Sequence, residues 1–124
     1  MPYVTISATQ GLSAEQTRQL LQGSSDAVVQ SIGAPLASVR VMLHHLADGH
    51  YLNAGEFNTP GLMFVVELIE GRTTELKEAL IASLSRTGAG ATGIPEDQIR
   101  VRVIDFPKSN MGMAGGISAL AMGR

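Results

Sequence analysis

The chain has 124 residues, 44% of them hydrophobic but only 4% aromatic, and a formal net charge of −2. That length suits one domain able to bury a core. The charge offers no long-range attraction to nucleic acid or to an anionic membrane. With no cysteine present, a disulfide framework and thiolate chemistry are excluded. No apolar run approaches the roughly 20 residues of a membrane span, and the start lacks the basic and apolar regions of a signal peptide. A cytoplasmic protein is expected. Its mean hydropathy of +0.16 is high for a small soluble chain and points to apolar surface buried between subunits.

Tyr3 to Ala8 alternates, with Val4, Ile6 and Ala8 on one face, and predicts a strand. Ser13 supplies an N-cap and Gln16 completes a capping box. Leu20, Leu21, Ser24, Val28 and Ile32 follow at helical spacing. Beyond Pro35 a second strand is predicted over 38–45, and residues 53–61 read as a linker. Leu62 to Ile69 is more continuously apolar, as expected of a strand buried on both faces. Thr73 caps a second helix whose stripe is Leu76, Leu80, Ile81 and Leu84. Gly88, Gly90 and Gly93 are expected to end it and loosen the connection beyond it. After Pro95 a fourth strand is predicted over 98–106. The Gly-, Met- and Ala-rich tail after Lys108 has no clear period.

The two halves repeat at an offset of 60 without a gap. Gly11 falls on Gly71, Glu15 on Glu75, Gly33 on Gly93, Pro35 on Pro95, Arg40 on Arg100 and Gly55 on Gly115. Duplication and fusion of a β-α-β unit with a right-handed crossover explains this regularity. The expected fold class is α/β: tandem β-α-β units forming a four-stranded sheet with two helices on one face, the other face left for partners. The expected organisation is a first unit over 1–57, a linker over 58–61 and a second unit over 62–124.

Few residues carry chemistry. Pro2 follows Met1 directly, and removal of Met1 would expose a secondary amine. A free α-amino group titrates near 7.7–8.0, and burial or neighbouring cations lower that value, so a neutral amine could move protons from carbon acids. Taken alone, a Met-Pro start is more often without meaning. Arg40 and Arg100 each stand in an otherwise Val-, Ile- and Met-rich strand, where an unpaired charge is costly. The planar fork of Arg suits a carboxylate, although a lone strand Arg is more often structural. Arg102 shares a face with Arg100, and Arg72 sits at the strand-to-helix turn where the first half has Leu12. His44 and His45 are adjacent and point to opposite faces, so they cannot readily share a metal ion. Gly112, Gly115 and Gly116 resemble a phosphate loop only superficially.

The stretch Ala34-Pro35-Leu36-Ala37-Ser38-Val39-Arg40-Val41, then Gly49-His50-Tyr51 and Gly55-Glu56, closely resembles 4-oxalocrotonate tautomerase. Pro2 and the Gly11 turn are in register with it. The resemblance covers essentially all of residues 2–57, and a weaker copy spans about 62–117 through Glu70-Gly71-Arg72, Pro95, Arg100-Val101 and Gly115. Overall the chain resembles a fused member of the tautomerase superfamily. The resemblance implies enol–keto isomerisation of 2-hydroxy-dienoates and 2-oxo acids, with Pro2 as catalytic base. It implies that Arg40 or Arg100 binds the substrate's carboxylate and carbonyl end, that Arg72 holds the far carboxylate, and that Tyr51 closes the pocket. No metal or organic cofactor is implied. The partner implied is a small carboxylate substrate, with no nucleic acid and no membrane, and the assembly implied is a homotrimer with hexamer-like architecture.

Three departures from the pattern stand out. Leu62 is internal and replaces the second Pro, Leu12 replaces one turn Arg, and Met111 replaces one aromatic. The halves thus look complementary, one supplying the base and the other Arg72. Other readings are a cofactor-free hydratase, dehalogenase or decarboxylase of the same superfamily, for which no matching extra acidic or His residues are present, and a non-catalytic trimeric scaffold.

Overall fold

A computed structural model describes residues 2–9 and 11–124. Strand β1 (Tyr3–Ala8) leads into helix α1 (Ala14–Ile32) and strand β2 (Arg40–His45). Two short strands, β3 (Leu52–Asn53) and β4 (Glu56–Phe57), precede strand β5 (Leu62–Ile69), helix α2 (Thr74–Thr92) and strand β6 (Ile99–Phe106). The sheet order is β2-β1-β5-β6, parallel within each half and antiparallel where β1 meets β5. The halves are therefore related by a pseudo-two-fold axis between β1 and β5.

Local chemistry fixes both helices. The Ser13 hydroxyl accepts from the Gln16 N–H at 3.0 Å while the Gln16 side chain accepts from the Ser13 N–H at 2.9 Å. Thr73 caps α2 through the Leu76 N–H at 3.2 Å. At the far ends Gly33 (φ 67°) and Gly93 (φ 78°) take the left-handed conformation, which only glycine adopts without steric cost.

The core lies between the helix layer and one sheet face. Val4, Ile6 and Ala8 of β1 and Leu62, Phe64, Val66 and Leu68 of β5 are buried there. They meet Leu20, Ala27 and Val28 of α1 and Leu80 and Leu84 of α2. Each large aliphatic side chain so buried contributes about 1.5–3 kcal/mol.

Several expectations are corrected. Strands β2 and β6 begin later than the apolar pattern implies, because residues 36–38 and 96–98 form 3-10 turns. The Pro35 and Pro95 carbonyls close those turns on the Ser38 and Gln98 N–H groups at 2.9 Å each. Helix α2 runs on through Gly88 and Gly90. A Cβ at Gly88 would lie 3.0 Å from Leu62 and 3.2 Å from both Ile99 and Phe64, so this glycine lets the helix sit close on the sheet. The α2 stripe is also narrower, since Leu76 and Ile81 are exposed.

Residues 53–61 are not a plain linker, for β3 and β4 pair as a hairpin through Leu52–Phe57 and Asn53–Glu56. Strand β5 alternates rather than being covered on both faces: Met63, Val65 and Ile69 are half-buried and Glu67 is exposed. The sheet face away from the helices is thus open in one chain. The tail is ordered by backbone bonds, with Met111 and Ala119 buried and the Ala119 N–H donating to the Met111 carbonyl at 2.8 Å.

Candidate active site

Pro2 is fully buried at the entrance to β1. Its carbonyl accepts from the Arg40 N–H at 3.1 Å, extending the β1–β2 ladder by one step. The antiparallel register pairs Tyr3 with Glu67, so one further step sets Pro2 beside Leu68. Pro2 therefore stands at the end of the sheet where β5 finishes and the turn into α2 begins. The expected loss of Met1 lies outside the described residues.

That same turn carries Arg72. Its side chain is half-buried and its Nη1 donates to the Ile69 carbonyl at 3.2 Å. A cleft of about 310 Å³ opens here, with Pro35 and Ser38 from the first half and Ile69, Arg72, Lys108 and Met113 from the second among its walls. Glu70 and Arg124 also border it. The antiparallel centre of the sheet creates this juxtaposition, because it brings the start of β1 to the end of β5.

Arg40 and Arg100 behave as a symmetric pair. Arg40 Nη1 donates to the Ala37 and Val39 carbonyls at 2.9 and 3.1 Å, and Arg100 Nη1 donates to the Asp97 and Ile99 carbonyls at 2.8 and 3.1 Å. Each is exposed and anchored to its own 3-10 turn, with no carboxylate paired to either among the described residues. The two are far apart. Arg40 shares a row with Tyr3 and Glu67, while Arg100 shares one with Met63. Four residues along β5 and three strand spacings separate them, roughly 13 Å by roughly 14 Å. Arg40 lies on the open face and Pro2, by strand alternation, on the helix face. Within one chain, then, neither guanidinium points at the Pro2 ring.

Tyr51 lies elsewhere. It is half-buried and lines a second cleft with Thr9, Asp48 and Thr59, its ring 3.2 Å from where a Cβ of Gly61 would stand. It therefore covers the Leu62 end of the sheet. Its repeat partner, Met111, is buried near Tyr3, Glu67 and Ile104 at the Pro2 end. Ser38 and Lys108 carry no signal of their own in the sequence. The available signal is the offset itself, which sets Lys108 at the same place in its half as Asp48.

The model of the tautomerase enzyme family matches residues 2–59 and again residues 65–120. The chain belongs to the tautomerase family. A 2-hydroxymuconate tautomerase of Comamonas testosteroni is 41% identical over 59 residues, covering 48% of this chain and 92% of that enzyme. Two solved structures cover 98% of this tautomerase-family chain and 99% of their own. One, Pt0534 inactivated by 2-oxo-3-pentynoate, is 77% identical with a TM-score of 0.96. The other, a fused 4-OT that forms a symmetric trimer, is 43% identical with a TM-score of 0.95. Both agree with the two-helix, four-strand architecture built from two β-α-β units.

Proposed function

We propose that this chain is a tautomerase that interconverts the enol and keto forms of 2-hydroxy-dienoates and 2-oxo acids, with the Pro2 amine as base. The observation that carries the reading is the cleft at the Pro2 end, which sets Arg72 of the second half against Pro35 and Ser38 of the first. The missing elements of each half fit this: Leu12 and Leu62 stand where the first half lacks the turn Arg and the second the proline. One complete kind of site per chain follows.

The chemistry needs only protein groups. The neutral secondary amine takes the proton of the 2-hydroxyl and returns it to a carbon at the far end of the diene, so the product is an isomer and nothing else is consumed. The dienolate formed on the way carries negative charge, which arginine donors stabilise. Arg72 holds the far carboxylate. The 2-oxo end is met by an arginine of the Arg40/Arg100 pair from a neighbouring chain, since both are exposed and, among the described residues, each engages Nη1 alone. Tyr51 closes the pocket by the same route, across a subunit boundary in a homotrimer. The open sheet face, bearing Tyr3, Met42, Met63 and Val65, supplies apolar surface for that assembly. The relative inactivated by 2-oxo-3-pentynoate and the fused relative that is a trimer support both halves of the reading.

The test is ketonisation of 2-hydroxymuconate followed by ultraviolet absorbance, with the Pro2→Ala variant alongside and an intact mass on both. A fast rate that collapses in the variant, on a protein whose mass lacks Met1, is the expected result. A rate unchanged by Pro2→Ala, or Met1 retained on fully active protein, sinks the role given to Pro2.

A further inference from the structure

Mapping the 60-residue repeat onto the structure makes the two clefts pseudo-equivalent. Thr9, Asp48 and Thr59 line the cleft beside Tyr51, and their counterparts Ile69, Lys108 and Ala119 line the cleft at the Pro2 end. The charges do not follow the symmetry. At the Pro2 end the turn residue is Arg72 and the wall residue Lys108; at the other end they are Leu12, packed against the core, and Asp48. One cleft is cationic and its counterpart is not.

The backbone at Lys108 is anchored, while its side chain is exposed at the cleft wall. Pro107 opens a 3-10 turn over Lys108–Asn110. The Lys108 carbonyl accepts from the Met111 N–H at 3.4 Å and from the Leu120 N–H at 3.3 Å, so chain on both sides of the tail fixes it. Among the described residues no carboxylate pairs with Lys108, whereas Lys77 is paired with Asp105. Glu70 is the one acidic side chain bordering this cleft, against Arg72, Lys108 and Arg124. Arg72 and Lys108 together outnumber that one acid, so the cleft keeps an excess of positive charge that an anionic ligand relieves.

We propose that Lys108 is a second cation that, with Arg72, binds the far carboxylate of a dianionic ligand and gives this cleft its preference for dicarboxylates. Arg72 offers a directional fork and Lys108 a compact point charge, so the two approach one carboxylate from different walls. The inference rests on the reading of this cleft as the substrate site, but its test does not depend on turnover.

The experiment compares two unreactive ligands on the same six-carbon diene, trans,trans-muconate with two carboxylates and sorbate with one, by titration calorimetry on the intact protein. The wild type is expected to bind muconate more tightly. In Lys108→Gln the preference falls about fivefold, between an exposed ion pair and a charge-assisted hydrogen bond, and Lys108→Arg restores it. Asp48→Asn alters net charge by one unit as well, yet keeps the preference, which separates a local contact from a general field. A wild type without preference for muconate overturns the proposal, as does a Lys108→Gln variant that keeps it or an Asp48→Asn variant that shifts it equally. Failure of the Pro2→Ala assay with the muconate preference intact would count against the tautomerase reading alone.

Discussion

Replacing Arg72 by Ala probes the claim that the two halves of the chain build one site. The side chain is half-buried, and among the described residues Nη1 alone is engaged, on the Ile69 carbonyl at 3.2 Å, which leaves its other N–H groups for a carboxylate. A hydrogen bond to a charged group is worth about 1.5–3 kcal/mol, and partial exposure to solvent brings the value toward the lower half of that range. About 2 kcal/mol corresponds to roughly a 30-fold change. Since the far carboxylate is held alike in ground and transition states, the loss falls on KM more than on kcat. Arg72→Lys recovers part of it, because ammonium keeps the charge and loses the fork. Steady-state kinetics on 2-hydroxymuconate read both parameters. A KM for Arg72→Ala within about twofold of wild type would refute the complementary-halves argument, since the first half has only Leu12 to offer in its place.

Other outcomes rest on the same geometry. 2-Oxo-3-pentynoate presents an alkyne conjugated to a ketone, so the Pro2 nitrogen should add to it with its proton passing to the adjacent carbon; mass spectrometry should find one adduct per chain, absent in Pro2→Ala. Light scattering should give three 13.0 kDa chains, about 39 kDa, and a monomeric mass on active protein would contradict the use of arginines from neighbouring chains. Gly88→Val puts a branched side chain 3.0–3.2 Å from Leu62, Phe64 and Ile99, and overpacking of this kind costs about 1–3 kcal/mol; an unchanged thermal midpoint would show that α2 does not need that close approach. Phe64→Ala opens a cavity under both helices and should cost about 3–5 kcal/mol in urea unfolding.

Much of the architecture is legible in the sequence. The capping box at Ser13, the strand alternation of β1 and the gapless offset of 60 are local or periodic signals, and each reflects chemistry that acts within a few residues or repeats unchanged. Helix α2 outruns its sequence signal because Gly88 reads as a breaker by propensity, at a cost of about 1 kcal/mol, while packing on β5 requires its missing side chain. The hairpin over 52–57 escapes sequence reasoning because its strands have two residues each, too short for any period.

What the sequence determined by itself was the inventory: a duplicated β-α-β unit, a proline at one start only, a turn arginine in one half only, and a symmetric pair of strand arginines. Tertiary structure alone decided which of these meet. The antiparallel pairing of β1 with β5 brings the beginning of one half to the end-of-strand turn of the other, so Pro2 and the Arg72 turn, 70 positions apart by their numbers, come to the same end of the sheet. That pairing also sends Arg40 and Arg100 to separate ends and Tyr51 to the Leu62 end. It added Lys108, which the offset sets on Asp48 without marking it as a site residue, because only the folded tail brings it to the wall of the same cleft. Sequence periodicity encodes which face a side chain takes; which end of the sheet it shares, and with whom, depends on strand direction and register, and those are properties of the assembled sheet.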